Sequence, residues 1–238
     1  MTIFMSKNKD IHNIANRLEN TQDNIAKACH LVDRNRDEVQ LMAVSKTKPV
    51  AAVIEAYDAG QRVFGENYAQ ELAEKSEQLA QLADIEWHYI GPIQSNKTKI
   101  ICQSCNWVDS LDRLKIAKRL DLHAQELNKQ INVLLQVNIS NSNTKSGILL
   151  EDVETLADEL SQLSNITLRG LMAIPDKHDD VEQLKREFNA MHACYLSLKQ
   201  QYNQIDTLSL GMSQDMQTAI ECGSTMVRIG TDIFGARS

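Results

Sequence analysis

Leu41-Met-Ala-Val-Ser-Lys-Thr-Lys-Pro49 joins a short apolar run to a polar turn and then, past the proline, to a helical pattern. Leu41–Val44 suits a buried strand, and Val50–Ala59 carries apolar residues at helical spacing until Gly60 stops it. Lys46 therefore sits where the carboxyl end of a strand meets a loop, the position at which α/β folds concentrate function. Taken alone, a lysine there is also what a solvated strand end would carry.

Working outward, the same unit recurs. Arg62–Gly65 feeds through Gly65-Glu-Asn-Tyr68 into a helical stretch reaching Leu82, and Glu86–Ile90 through Gly91-Pro-Ile-Gln-Ser-Asn96 into a helix over 97–102. Trp107–Asp109 leads by Ser110-Leu111 to a helix capped by Asp112 and ending at Leu127. Ile131–Ile139 is the clearest strand; its loop, Ser140–Gly147, precedes a helix to Leu163. Ile166–Leu171 is followed by Met172-Ala-Ile-Pro-Asp176 and a helix over Asp179–Gln200. Asp206–Leu210 turns at Gly211-Met-Ser213 into a helix to Cys222, and Thr225–Ile229 runs into Gly230-Thr-Asp-Ile-Phe-Gly235. Ahead of all this, Ile11, Ile14, Leu18, Ile25 and Ala28 mark an amphipathic helix over Asp10–His30.

Eight strand-plus-helix units imply right-handed crossovers and parallel pairing, and eight strands can close on themselves. The expectation is an α/β fold, a (β/α)8 TIM-type barrel with an additional N-terminal helix; an open doubly wound sheet is the alternative. With only 9 Gly and 3 Pro and no linker-like segment, the chain reads as one domain over 1–238, with 1–9 a loosely ordered N-terminus.

Composition excludes several functions. The chain has 25 Lys plus Arg against 32 Asp plus Glu, a formal charge of -7, and no basic stripe, so nucleic acid is not an expected partner. It has no apolar run of membrane-spanning length and no secretory signal core, which reads as cytoplasmic. Cys102-Gln-Ser-Cys105 has redox or half-zinc spacing, but with no second pair the two read as unconnected thiols. The six His residues form no metal pattern, and Gly211-Met-Ser-Gln-Asp215 lacks the last glycine of a nucleophile elbow.

In a barrel the loops at the carboxyl ends of the strands make one site. They offer Lys46, Asn67, His88, Ser110, Asn138, Met172, the Gly211-Met-Ser213 turn and the Arg228-Ile-Gly230 turn. His88, between Trp87 and Tyr89, also reads as a core or rim histidine. The two glycine turns, with the Ser213 and Thr231 hydroxyls, suit an anion at the usual barrel phosphate position after strands seven and eight. A lysine facing a phosphate cradle suggests a covalent imine, for which the amine must be neutral and its pKa depressed from about 10.4 by burial or by nearby charge such as Lys48 or Arg228. Pyridoxal 5'-phosphate and a sugar phosphate in an aldolase-like barrel both satisfy this chemistry.

Val44-Ser-Lys-Thr-Lys-Pro49, Phe64-Gly-Glu-Asn-Tyr68, Trp87-His-Tyr-Ile-Gly-Pro92 with Gln94-Ser-Asn-Lys97, Ser146-Gly147, Gly170-Leu-Met-Ala-Ile-Pro175, Leu208-Ser-Leu-Gly-Met-Ser213 and Met226-Val-Arg-Ile-Gly230 with Ile233-Phe-Gly235 together resemble the pyridoxal phosphate homeostasis protein family. The resemblance implies the fold-type III barrel, related to the N-terminal domain of alanine racemase. It also implies that Lys46 forms the internal Schiff base, that Ser213, Gly230 and Thr231 hold the phosphate, that Arg228 faces the pyridine nitrogen, and that Asn67 and Met212 flank the cofactor. His88 is carried among the cofactor-binding candidates, and Lys145 in Asn143-Thr-Lys-Ser-Gly147 as a second, transient amine. Racemases of this type add a C-terminal β-domain and a tyrosine acid/base, for which this sequence shows no room after Gly230. The expected function is vitamin B6 homeostasis by a monomeric carrier without robust catalysis, with apo-enzymes that use pyridoxal phosphate as recipients. A racemase-like enzyme using pyridoxal phosphate is the first alternative and an aldolase-like Schiff-base enzyme the second.

Overall fold

The computed structural model describes residues 13–177 and 180–236. The expected helix start at Asp10, the loose segment 1–9 and Asp179 lie outside the described residues. Eight parallel strands follow in chain order: β1 (Gln40–Val44), β2 (Val63–Glu66), β3 (Glu86–Tyr89), β4 (Trp107–Leu111), β5 (Ile131–Val137), β6 (Ile166–Ala173), β7 (Thr207–Ser209) and β8 (Met226–Ile229). Because β8 pairs back onto β1, with Met42 beside Arg228, the sheet is a closed barrel and the open alternative is excluded. The helices are α1 (Ile14–His30), α2 (Val50–Asp58), α3 (Ala69–Gln78), α4 (Thr98–Ser104), α5 (Leu114–Glu126), α6 (Val153–Leu160), α7 (Val181–Gln201), α8 (Met216–Glu221) and α9 (Thr231–Phe234).

Strand alternation sorts the side chains into two layers. Val39 just before β1, Leu41 and Ala43 on β1, Phe64 on β2 and Val227 and Ile229 on β8 join the large apolar cluster between the sheet and the helices. Met42, Val44, Val63, Ile90 and Met226 pack on one another inside the barrel. The same alternation continues past the strand ends and puts Lys46, Asn67, Arg228 and Gly230 on the interior face.

Two strands break the alternation. On β6 the pairing slips between Leu168 and Gly170, so that Ile166 and Leu168 face the helices and, past the bulge, Leu171 and Ala173 do. Met172 and Ile174 then face inward with Trp107 and Leu134. A similar slip lies between Val108 and Leu111 on β4. Both strands are longer than their sequences suggested, and Ser110 and Met172, expected in loops, are strand residues. This also corrects the Asp112 cap: α5 starts at Leu114 with Arg113 as N-cap, and Asp112 accepts instead from Arg113 Nη1 at 2.7 Å.

The outer ring is completed by α1. With only four residues α9 is too short to cover β8, and α1 packs against α2, α8 and α9 over that seam, burying Leu18, Ile25, Ala28 and Cys29. Cys102 and Cys105 are buried, their thiols donating to the Leu120 and Trp107 carbonyls at 3.6 and 3.2 Å. Burial pushes both thiols up to about 12, which removes thiolate chemistry. Among the described residues no helix is long and apolar enough to cross a membrane, and no group of metal-ligating side chains occurs.

Candidate cofactor site

Lys46 stands in a tight turn closed by Lys48 N–H donating to the Ser45 carbonyl at 3.1 Å. Thr47 adopts a left-handed conformation at φ 62, unusual for a β-branched residue. The residues around Lys46 are tied to their surroundings on the outer side of the barrel. The Ser45 hydroxyl donates to Glu66 Oε1 at 2.6 Å, the Ser45 carbonyl accepts Lys75 Nζ at 2.8 Å, and the Thr47 N–H donates to Glu71 Oε1 at 2.6 Å. Lys48 Nζ reaches the Ala236 carbonyl at 2.8 Å, which draws the chain's last described turn over the mouth of β1.

Arg228, next to β1 on β8, is 4% exposed and is aimed across the barrel. Nη1 donates to the Ser209 carbonyl and hydroxyl at 2.8 and 2.7 Å, and Nη2 to the Ala173 carbonyl at 2.9 Å. Its Nε–H has no acceptor among the described residues and is not sealed from solvent. Burial pulls this guanidinium down while Asp109 and Asp215 hold it up, and it keeps its charge at neutral pH.

The two glycine turns adjoin Arg228. The Arg228 N–H donates to the Gly211 carbonyl at 3.0 Å, and Gly230 lies so close to β1 that a Cβ there would sit 3.2 Å from the Val44 carbonyl oxygen. Thr231 opens α9, in which the Ile233 and Phe234 N–H groups donate to the Gly230 carbonyl at 3.1 and 2.8 Å, so that the Thr231 and Asp232 amides are the ones that precede its first hydrogen bonds. In the Gly211 turn the Met212 N–H is already taken by Asp215 Oδ1 at 2.5 Å, so that amide is withdrawn from any anion. Met212 itself is 39% exposed on the rim. Asn67 is held from below by Gly91, where a Cβ would fall 2.0 Å from the Asn67 carbonyl oxygen.

Other expected rim residues are placed differently. His88 is fully buried, its Nδ1 lying 3.0 Å from both carboxylate oxygens of Asp109, its Nε2 3.2 Å from Glu86, and its ring stacked on Trp107. Both ring nitrogens are thus committed inside the barrel, which corrects its place among cofactor contacts. Met172 is likewise fully buried in the interior layer, and Ser110 donates to the Gly91 carbonyl at 2.5 Å. Asn138 holds the following loop, its amide donating to the Ser142 carbonyl at 2.8 Å. Lys145 on that loop reaches the Pro175 carbonyl at 3.2 Å and Asp176 at 3.7 Å, with a third of its side chain exposed.

Burial alone would lower the His88 pKa, but Asp109 and Glu86 outweigh it and raise it from 6.5 to about 9. A folded value above the unfolded one means that the stabilisation is complete below 6.5 and disappears as pH rises through about 9. The unfolding free energy in urea should therefore fall by up to about 3 kcal/mol across that window. His88→Gln should flatten this slope; an unchanged slope would refute the assignment.

Sequence reasoning did not find Glu66, Lys75, Glu71 or Asp109. Glu66 was inside a quoted motif, but nothing local marks it as buried behind Lys46 rather than exposed on a loop. Taken together, a lysine just past the end of β1, the buried Arg228 guanidinium on β8, and the two glycine turns that carry Ser213 and Thr231 fit a small ligand that carries an aldehyde, a ring acceptor and a phosphate. These donors lie on neighbouring strands at one end of the barrel.

Residues 17–238 match the family model described as alanine racemase, N-terminal domain. A pyridoxal phosphate homeostasis protein of Haemophilus influenzae is 48% identical over 229 residues, covering 95% of this chain and 97% of that one. The structure of PipY from Synechococcus elongatus with pyridoxal phosphate bound is 37% identical, with a TM-score of 0.76, covering 89% of this chain and all of that one. An alanine racemase of Clostridium difficile in complex with cycloserine shares the fold at 15% identity, with a TM-score of 0.74 over 92% of this chain and 59% of its own.

Proposed function

The chain belongs to the pyridoxal phosphate homeostasis protein family, and from this we propose that it binds pyridoxal 5'-phosphate through Lys46 and serves intracellular vitamin B6 homeostasis. When bound, the cofactor supplies an aldehyde that an amine takes up reversibly with loss of water. Lys46 offers that amine. Ser213, Gly230 and Thr231 hold the phosphate, and Asn67 and Met212 flank the ring. Arg228 donates to the ring nitrogen without surrendering a proton, which weakens the ring as an electron sink.

The observation that carries this reading is the Arg228 Nε–H, left without an acceptor on the same interior face as Lys46 and Gly230. The curated relatives are named as homeostasis proteins and not as enzymes, in keeping with a non-catalytic role. Adding pyridoxal phosphate to the purified protein should produce a long-wavelength absorption band at one equivalent. No band would end the proposal, and amino-acid racemisation at useful turnover would replace it with the enzyme reading. We read 1–238 as one cytoplasmic, monomeric unit that passes its cofactor to apo-enzymes.

Lys145 is the second amine in this reading, its ammonium lodged against Pro175 and Asp176. Lys145→Ala should slow transfer to an apo-enzyme severalfold while the absorption band persists. Equal transfer rates would remove Lys145 from the path.

A further inference from the structure

Behind Lys46, on the helix side of β1 and β2, lie three ionisable side chains that do not face the barrel interior, and burial pushes the carboxyl of Glu66 up from its ordinary range. Lys75 on α3 is 3% exposed and its ammonium donates to Glu66 Oε1, Glu71 Oε1 and the Ser45 carbonyl at 2.7, 2.7 and 2.8 Å. Glu66 is fully buried, takes the Ser45 hydroxyl on the same oxygen, and its Oε2 has no partner among the described residues. Glu71 takes the Thr47 N–H. Well-packed apolar side chains would fill this space without the desolvation penalty of buried charge, so the set asks for a reason beyond stability.

Its geometry supplies one. The residue before Lys46 is fastened through its carbonyl and its hydroxyl, the residue after it through its N–H, and Thr47 is thereby kept at φ 62. Glu71 and Lys75 stand one helical turn apart on α3, and α3 begins two residues after Asn67. One rigid helix thus sets the main chain on both sides of Lys46 and follows directly on a residue that flanks the ligand.

We propose that Glu66, Lys75 and Glu71 form a positioning clamp that fixes the direction of the Lys46 amine and so governs how long the protein retains pyridoxal phosphate. The inference rests on the reading of Lys46 as the cofactor amine. None of the three touches the ligand; they act through the backbone of Ser45 and Thr47. A displacement of α3 would release both ends of the turn together.

The experiment compares the loaded wild-type protein with Glu71→Gln, Lys75→Met and the paired Glu66→Gln/Lys75→Met, which removes the buried charges jointly. Dissociation is followed by decay of the absorption band after dilution. Amide hydrogen exchange at Thr47 and the melting temperature are measured on the unloaded forms. The clamp predicts dissociation at least tenfold faster in Glu71→Gln and in the paired variant, with faster exchange at Thr47. Glu71 is partly exposed, so its variant should melt within a few degrees of wild type. Melting temperatures that fall while dissociation stays at the wild-type rate would overturn the clamp and leave a structural role. Lys46→Ala separates the two claims: loss of its band with normal release from the clamp variants refutes the clamp alone, whereas a band that survives Lys46→Ala refutes the underlying reading.

Discussion

Lys46→Ala is expected to abolish the long-wavelength absorption of the protein incubated with pyridoxal phosphate while leaving its circular dichroism unchanged. The two parts have separate grounds. Lys46 is half-buried at the end of β1, where alternation brings it to the interior beside Asn67, Arg228 and Gly230. The bonds that hold its turn belong to the backbone of Thr47 and Lys48 and to Ser45, none of which an alanine at 46 removes. Truncation there should cost about 1 kcal/mol in stability, the ordinary cost of a single substitution, which leaves the fold intact. Ligand retention should weaken tenfold or more, since phosphate and ring contacts remain but the covalent link is lost. Spectral titration and equilibrium dialysis of both proteins measure this directly. A variant that keeps the band would move the amine elsewhere, with Lys48 and Lys145 the next to replace.

Gly170→Ala is expected to have the largest effect on folding. Gly170 sits in the β6 bulge at φ 150 and pairs with Thr207 on β7. A Cβ there would lie 1.7 Å from the Thr207 carbonyl oxygen and 2.7 Å from its carbon, both backbone atoms. The ladder between β6 and β7 would have to open, and with it the closure of the barrel. A loss above about 4 kcal/mol follows, a large part of the 5–15 kcal/mol that holds a typical domain folded. The bulge also re-aims residues on both sides. It frees Arg169 to stack over Trp107 at 4.7 Å and pair with Asp206, and it sends Leu171 outward and Met172 inward. Urea denaturation, or the soluble yield where the variant cannot be purified, reports the result. A wild-type urea midpoint would show that the strands part locally at little cost.

The strand and helix periods were legible because each belongs to a few consecutive residues: Leu41–Val44, Val50–Asp58 and Ile131–Val137 carry their patterns within themselves. Lys46, Arg228 and the glycine turns were legible for a related reason, since strand ends and barrel topology put them on one rim. His88 was not, because its partner Asp109 is on the next strand and only the β3–β4 register brings them together. Asp112 was misread as a cap because the β4 slip, invisible without its neighbour, moved the helix start to Leu114.

The amino-acid sequence by itself determined the order of elements and the closed-barrel expectation, and it placed Lys46, Arg228 and the two glycine turns at strand ends, all of which follow from local period and chain order. Only the tertiary structure decided which strand residues bulge, that His88 is locked to Asp109, and that Lys75 lies buried behind Lys46 rather than solvated on α3. The reason is physical: side-chain direction along one strand is a local property, but register, burial and ion pairing depend on which distant segment packs alongside. Lys75 and Ser45 are 30 residues apart, and no pattern within either segment records that they meet.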